Sequence, residues 1–123
     1  MAKMFEEIEV WQLARSLVKE IYSITSTDKI SRNFSLKDQI QRAALSIMNN
    51  ISEGFERHSD KEFAYFLNIA KGSAGEVRSM LYVLLDMNYI DNVTFHNIYD
   101  QTTTISKSLS GFMAYLKTSP QKS

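Results

Sequence analysis

The chain has 123 residues, no cysteine, and fourteen Lys plus Arg set against fourteen Asp plus Glu. That length fits one domain with a core that needs neither disulfides nor metal, and the missing cysteines exclude thiolate metal sites and Cys nucleophiles. The balanced charge gives no bulk signal for nucleic acid or an anionic membrane.

Apolar residues recur at intervals of three and four, and strand-like alternation is missing. Pro120 is the only proline, so nothing before it forbids helix. Four helices are expected, over residues 8–25, 36–55, 60–87 and 92–117, joined by short polar connections. Short connections make neighbouring helices antiparallel, which predicts an all-α, up-down-up-down four-helix bundle as one domain over 1–123. Order is expected over about 5–117, and disorder over 118–123.

In the first predicted helix, Val10, Trp11, Leu13, Ala14, Leu17, Val18, Ile21, Tyr22 and Ile24 spread over roughly half the circumference. The polar stretch 26–33 is the longest connection. Ser35 with Asp38 forms a weak capping box for the second helix, and Ser59 with Glu62 a proper one for the third. The second helix has an apolar stripe, Leu36, Ile40, Ala43, Ala44, Ile47 and Ile51. A polar row, Gln39, Arg42, Ser46, Asn50, Glu53 and Arg57, runs beside it.

The third helix carries a core stripe of Phe63, Phe66, Leu67, Ala70, Ala74, Val77, Leu81, Leu84 and Leu85. Tyr65, Ile69, Val83 and Met87 extend that stripe around one flank. A four-helix core needs only ~100° of helix surface, so the surplus predicts a second buried face between identical subunits. Glu76 lies seven residues from both Ile69 and Val83, so it is expected inside that flank with a basic partner, Arg42 or Arg57. Ala70, Gly72, Ser73 and Gly75 are small enough for close helix packing, which would offset the ~1 kcal/mol helix penalty of each glycine. The fourth helix alternates Phe95, Ile98, Thr102, Ile105, Leu109, Phe112 and Leu116 along a single seam, after Asp91 as N-cap.

Catalytic signatures fail one by one. Neither His58 nor His96 follows a glutamate by three residues, which excludes the Glu-x-x-His di-iron pattern. The zincin motif, the phosphate loop and the nucleophile elbow are all missing. No catalytic residue, cofactor, metal ligand or small-molecule substrate is therefore assigned. The longest uninterrupted apolar run, 80–85, is too short to span a membrane. With no apolar signal core near the N-terminus, the expected location is the cytoplasm.

Several ordered segments together resemble a known family. They are Val10-Trp11-Gln12-Leu13-Ala14, 39–47 around Gln39 and Arg42, Asn50-Ile51-Ser52-Glu53-Gly54 with Arg57, Ser59-Asp60-Lys61-Glu62-Phe63, and Ile69-Ala70-Lys71-Gly72-Ser73 with Glu76. The chain resembles the bacterial four-helix-bundle proteins encoded in intervening sequences of 23S ribosomal RNA genes, from about Phe5 to Ile90. The resemblance implies a ring-like homopentamer in the bacterial cytoplasm with no established enzymatic activity. A related branch, the accessory proteins of diversity-generating retroelements, forms basic pentamers that bind nucleic acid. Here the stretch 36–78 instead holds six basic and six acidic residues. Two readings of the polar residues follow. Gln39, Arg42, Ser46, Asn50, Glu53, Arg57 and Glu76 form a structural or intersubunit network, or Arg42, Arg57, Lys61, Lys71 and Arg78 touch RNA or DNA phosphates.

Overall fold

A computed structural model describes residues 2–118 of the chain. Every regular element among them is helical. After a 3₁₀ turn at Phe5–Glu7 come α1 (Glu9–Thr25), α2 (Asp28–Ser31), α3 (Phe34–Phe55), α4 (Asp60–Asp86) and α5 (Asn92–Thr118). The four predicted helices are α1, α3, α4 and α5. Thr118 still belongs to α5, and the rest of the expected tail lies outside the described residues.

Each boundary has a local cause. Ile30, fully buried, anchors the single turn α2 inside what reads in the sequence as a polar connection. Helix α3 starts two residues earlier than expected, because Asn33 rather than Ser35 is the cap. The Asn33 Oδ1 accepts the Leu36 backbone N–H at 3.3 Å, and Asp38 turns away to bind Arg42. The Ser59 cap holds, with Oγ accepting the Glu62 N–H at 3.1 Å. So does the Asp91 cap, whose Oδ1 accepts the Thr94 N–H at 2.8 Å. These bonds satisfy donors that the first helical turn leaves unpaired.

Helix α4 is closed by Met87 as C-cap and then Asn88, whose φ of 60° places it in the left-handed region. The Asn88 N–H donates to the Leu85 carbonyl and the Tyr89 N–H to the Leu84 carbonyl, both at 2.9 Å. That pair of bonds is a Schellman closure, and asparagine tolerates it better than other non-glycine residues.

Helix α3 packs against α1 and α4, and α5 packs against α4 and α1, while α1–α4 and α3–α5 do not meet. The long helices thus stand at four corners in the order α1, α3, α4, α5. Cross-contacts set direction. Along α3 and α4, Gln39 meets Glu76, Ser46 meets Ser73 and Gly54 meets Phe66. Along α4 and α5, Phe63 meets Phe112, Arg78 meets Ser106 and Tyr82 meets Phe95. In both pairs one number rises as the other falls, so the helices are antiparallel.

One core fills the middle, with Leu17, Ile21, Ile40, Ile47, Ile51, Leu67, Leu81, Leu84, Ile98, Ile105 and Leu109 shut off from solvent. Each such side chain contributes about 1.5–3 kcal/mol relative to exposure. The seam expected on α5 is buried except at half-buried Phe112, and it includes Thr102, fully buried with its hydroxyl donating to the Tyr99 carbonyl at 2.7 Å.

Candidate functional site

The polar row of α3 faces the outer groove between α3 and α4. Its middle is a small hydrogen-bonded seam. The Ser73 hydroxyl donates to Ser46 Oγ at 2.8 Å, and Asn50 Nδ2 donates to the Ser46 carbonyl at 2.8 Å and to its hydroxyl at 3.0 Å. Ala70, one turn before Ala74, is fully buried. At one end, Gln39 Nε2 donates to Glu76 Oε2 at 3.2 Å. At the other, Arg57 Nη2 pairs with Glu53 Oε2 at 2.7 Å, and the guanidinium lies 4.7 Å over the Phe66 ring. Cation–π contact of this kind adds about 0.5–1 kcal/mol at an exposed position.

Two expectations are corrected here. Glu76 is exposed and binds Gln39, not an arginine. Arg42 pairs with Asp38 at 2.8 Å, both well exposed, and Arg57 with Glu53. The apolar neighbours that bracket Glu76 in the sequence do not bury it, because Ile69 and Val83 themselves face outward, 37% and 39% exposed. The second correction concerns close packing. A Cβ added at Gly72 meets nothing within 4 Å, and at Gly75 only the Arg78 guanidinium of the same helix, at 3.8 Å. The close approach is at Gly54, where a Cβ would lie 2.8 Å from Phe66 Cβ and 2.9 Å from Phe63 Cδ1.

The cationic set is dispersed. Arg42 and Arg57 sit on α3, each held by a carboxylate. Lys61 lies in the first turn of α4 between Asp60 and Glu62. Lys71 and Arg78, two turns apart, share a different flank of α4, where Arg78 Nη1 donates to Ser106 Oγ of α5 at 3.3 Å. No group of three or more His, Asp or Glu among the described residues is placed to hold a metal ion. No helix there is long and apolar enough to cross a membrane.

Beside the polar seam, α4 exposes a row of apolar side chains. Tyr65 is 63% exposed and Met87 47%, in line with Ile69 and Val83. At ~100° per residue these four fall within ~40° of one another, and at ~1.5 Å per residue the row runs ~33 Å.

Against known families, residues 6–111 match the model of the 23S rRNA-intervening sequence protein family. The chain belongs to that family. The match takes in α1, the polar row, the Gly72 segment, Glu76 and most of α5, so it reaches beyond the resemblance read up to Ile90. A solved structure similar to this member of the intervening-sequence family comes from Bacteroides thetaiotaomicron VPI-5482, a protein of unknown function from the S23 ribosomal protein family. It is 27% identical, covers 85% of this chain and 97% of its own, and superposes with a TM-score of 0.78. No curated protein matches the sequence.

Two surface features of this family member escape the sequence patterns. On the α4–α5 flank, Tyr82 stacks edge-on to Phe95 at 5.0 Å and to Tyr99 at 6.1 Å. The hydrogen bond and charge of Tyr99 hold the Tyr82 phenol above its usual range. Helical spacing hides the pair, since Tyr82 lies off the core stripe and Tyr99 lies on another helix. On α1, the Arg15 guanidinium sits 5.9 Å over Trp11. Their i,i+4 spacing is the signal that could have revealed it.

Proposed function

We propose that this protein is a non-enzymatic, cytoplasmic subunit of a homo-oligomer, an up-down-up-down bundle with five copies as the first choice. The apolar row on α4 carries the reading. Single exposed apolar residues are ordinary on any protein, but Tyr65, Ile69, Val83 and Met87 form one line on one helix face. Such a line marks an interaction surface, and a second copy is the simplest partner because closed homo-oligomers are the commonest assemblies. The ring of five follows from the family resemblance. In this reading Gln39, Ser46, Asn50, Glu53 and Arg57 shape the polar border of the contact. Multi-angle light scattering at micromolar concentration tests it. The expected mass is about five times the 14.2 kDa of one chain; a mass of one chain refutes assembly.

A second reading, phosphate contact with RNA or DNA, is favoured by Lys71 and Arg78 sharing one flank with exposed Tyr82. Binding of this kind to structured RNA must weaken steeply between low and physiological salt. No binding at low salt removes the reading.

A further inference from the structure

The α4 row cannot pair with itself. Glu76 is its midpoint, eleven residues from both Tyr65 and Met87 and seven from both Ile69 and Val83. Either two-fold pairing that buries the row, parallel or antiparallel, therefore sets Glu76 against the same carboxylate of the second copy. Two like charges facing each other in an apolar seam oppose the contact. The face that covers the row must instead be apolar and carry a cation near its centre.

Helix α1 has such a face. Trp11, Arg15, Val18 and Tyr22 fall within ~60° of one another by helical spacing, with Tyr22 42% exposed. They lie opposite the flank that lines the α1–α5 groove through Leu13 and Glu20, and so toward α3. There Thr25 Oγ1 accepts a hydrogen bond from Gln41. Leu45 and Met48, both half-buried and on the same flank of α3 as Gln41, widen the apolar surface. Arg15 is in no salt bridge among the described residues, and neither is Glu76, whose bond is to Gln39. Arg15 and Glu76 are thus ions of opposite sign, one in each row, and neither has an ion-pair partner among the described residues.

We infer that the α4 row of one copy docks on the α1–α3 face of the next, with Glu76 meeting Arg15. This rests on the homo-oligomer reading and specifies its interface as head-to-tail. The two faces are adjacent sides of the four-cornered bundle and share α3. Patches set at about 90° turn each successive copy inward, so the chain of contacts closes into a small ring instead of a filament.

Charge reversal tests the contact by native mass spectrometry and light scattering, with helical content checked by circular dichroism. Glu76→Arg alone and Arg15→Glu alone each place like charges together, and each should raise the concentration for half-dissociation by about tenfold or more. The double reversal should restore assembly. The absence of native cysteine allows a second arm. Arg15→Cys combined with Glu76→Cys should cross-link into a ladder under oxidation, while Glu76→Cys alone should stay uncrosslinked. Wild-type protein at the mass of one chain would refute the oligomer itself. An oligomeric wild type whose single reversals assemble normally, or are not rescued by the double reversal, would overturn only this interface. Cross-linking of Glu76→Cys alone would show the two-fold pairing rejected above.

Discussion

Gly54→Ala should destabilise the protein, although alanine in place of helical glycine ordinarily helps. Gly54 is the penultimate residue of α3, and its backbone is helical. On propensity alone the exchange would gain up to about 1 kcal/mol. The structure reverses the sign. The new Cβ would stand 2.8 Å from Phe66 Cβ, 2.9 Å from Phe63 Cδ1 and 3.2 Å from the Phe63 carbonyl oxygen. Two of those atoms are fixed to the α4 backbone, so relief requires α3 and α4 to separate near their connection. Phe63 is buried against Phe55 and Phe112, so its ring has no free direction in which to yield. Overpacking of this kind costs about 1–3 kcal/mol. With the full propensity gain set against it, the net loss reaches up to about 2 kcal/mol, or up to roughly 10 °C in Tm for a chain of this length. Gly111→Ala is the matched control, since its Cβ meets nothing within 4 Å, and it should gain up to about 1 kcal/mol. Urea denaturation of the three proteins at one fixed chain concentration measures both, because assembly makes stability concentration-dependent. A Gly54→Ala variant as stable as Gly111→Ala would refute the close approach.

Three further outcomes are expected. Asn88→Val should lose about 1–2 kcal/mol and Asn88→Gly should match or exceed wild type in thermal melts, because φ is 60° at that position. Asp91 is held below the usual carboxylate range by its bonds to the Thr94 backbone N–H and side chain. A depressed folded pKa contributes stability that is present above the unfolded value and lost as pH falls through the folded one, here below about pH 4. Asp91→Asn keeps a capping oxygen without the titration, so its urea midpoint should fall less than wild type's between pH 5 and pH 2. Glu76→Gln should cost the isolated subunit less than about 1 kcal/mol by denaturation under dissociating dilution, since an exposed carboxylate and its Gln39 bond are all it touches.

The long helices and most of their buried faces were legible because three-and-four spacing persists over several turns, as from Phe95 to Leu116. The Ser59 and Asp91 caps were legible for a different reason, a polar acceptor directly before a periodic run. Helix α2 was not, because one turn holds one apolar residue, Ile30, and one residue has no period. The α3 cap was misplaced because Asn33 and Ser35 are both good caps two residues apart, with Phe34 between them fully apolar yet turned to solvent. In the candidate site, the row on α3 was visible as a row, and its contact with Ser73 follows from the antiparallel register of α3 and α4. The small residues of the Gly72 segment point to a close helix approach there. It lies instead at Gly54, where the connection 56–59 forces two helices together.

The misplacement of Glu76 has one cause, and it links to the surplus apolar surface. A helical projection counts Ile69 and Val83 as apolar surroundings for Glu76 whether or not anything covers them. The same two residues also count as surplus, beyond what the core of one chain can bury. Within one chain both statements cannot hold, and the structure decides for the surplus: Tyr65, Ile69, Val83 and Met87 stand outward with Glu76 among them. The carboxylate therefore keeps its water in the subunit and would lose it only when another surface covers the row. Desolvating an unpaired carboxylate is costly, so the partner surface must return a cation or a set of donors at that point. This requirement narrows the covering face more than apolar area does, since many faces offer apolar atoms and few set an arginine among them. On this chain Arg15, flanked by Trp11, Val18 and Tyr22, meets it.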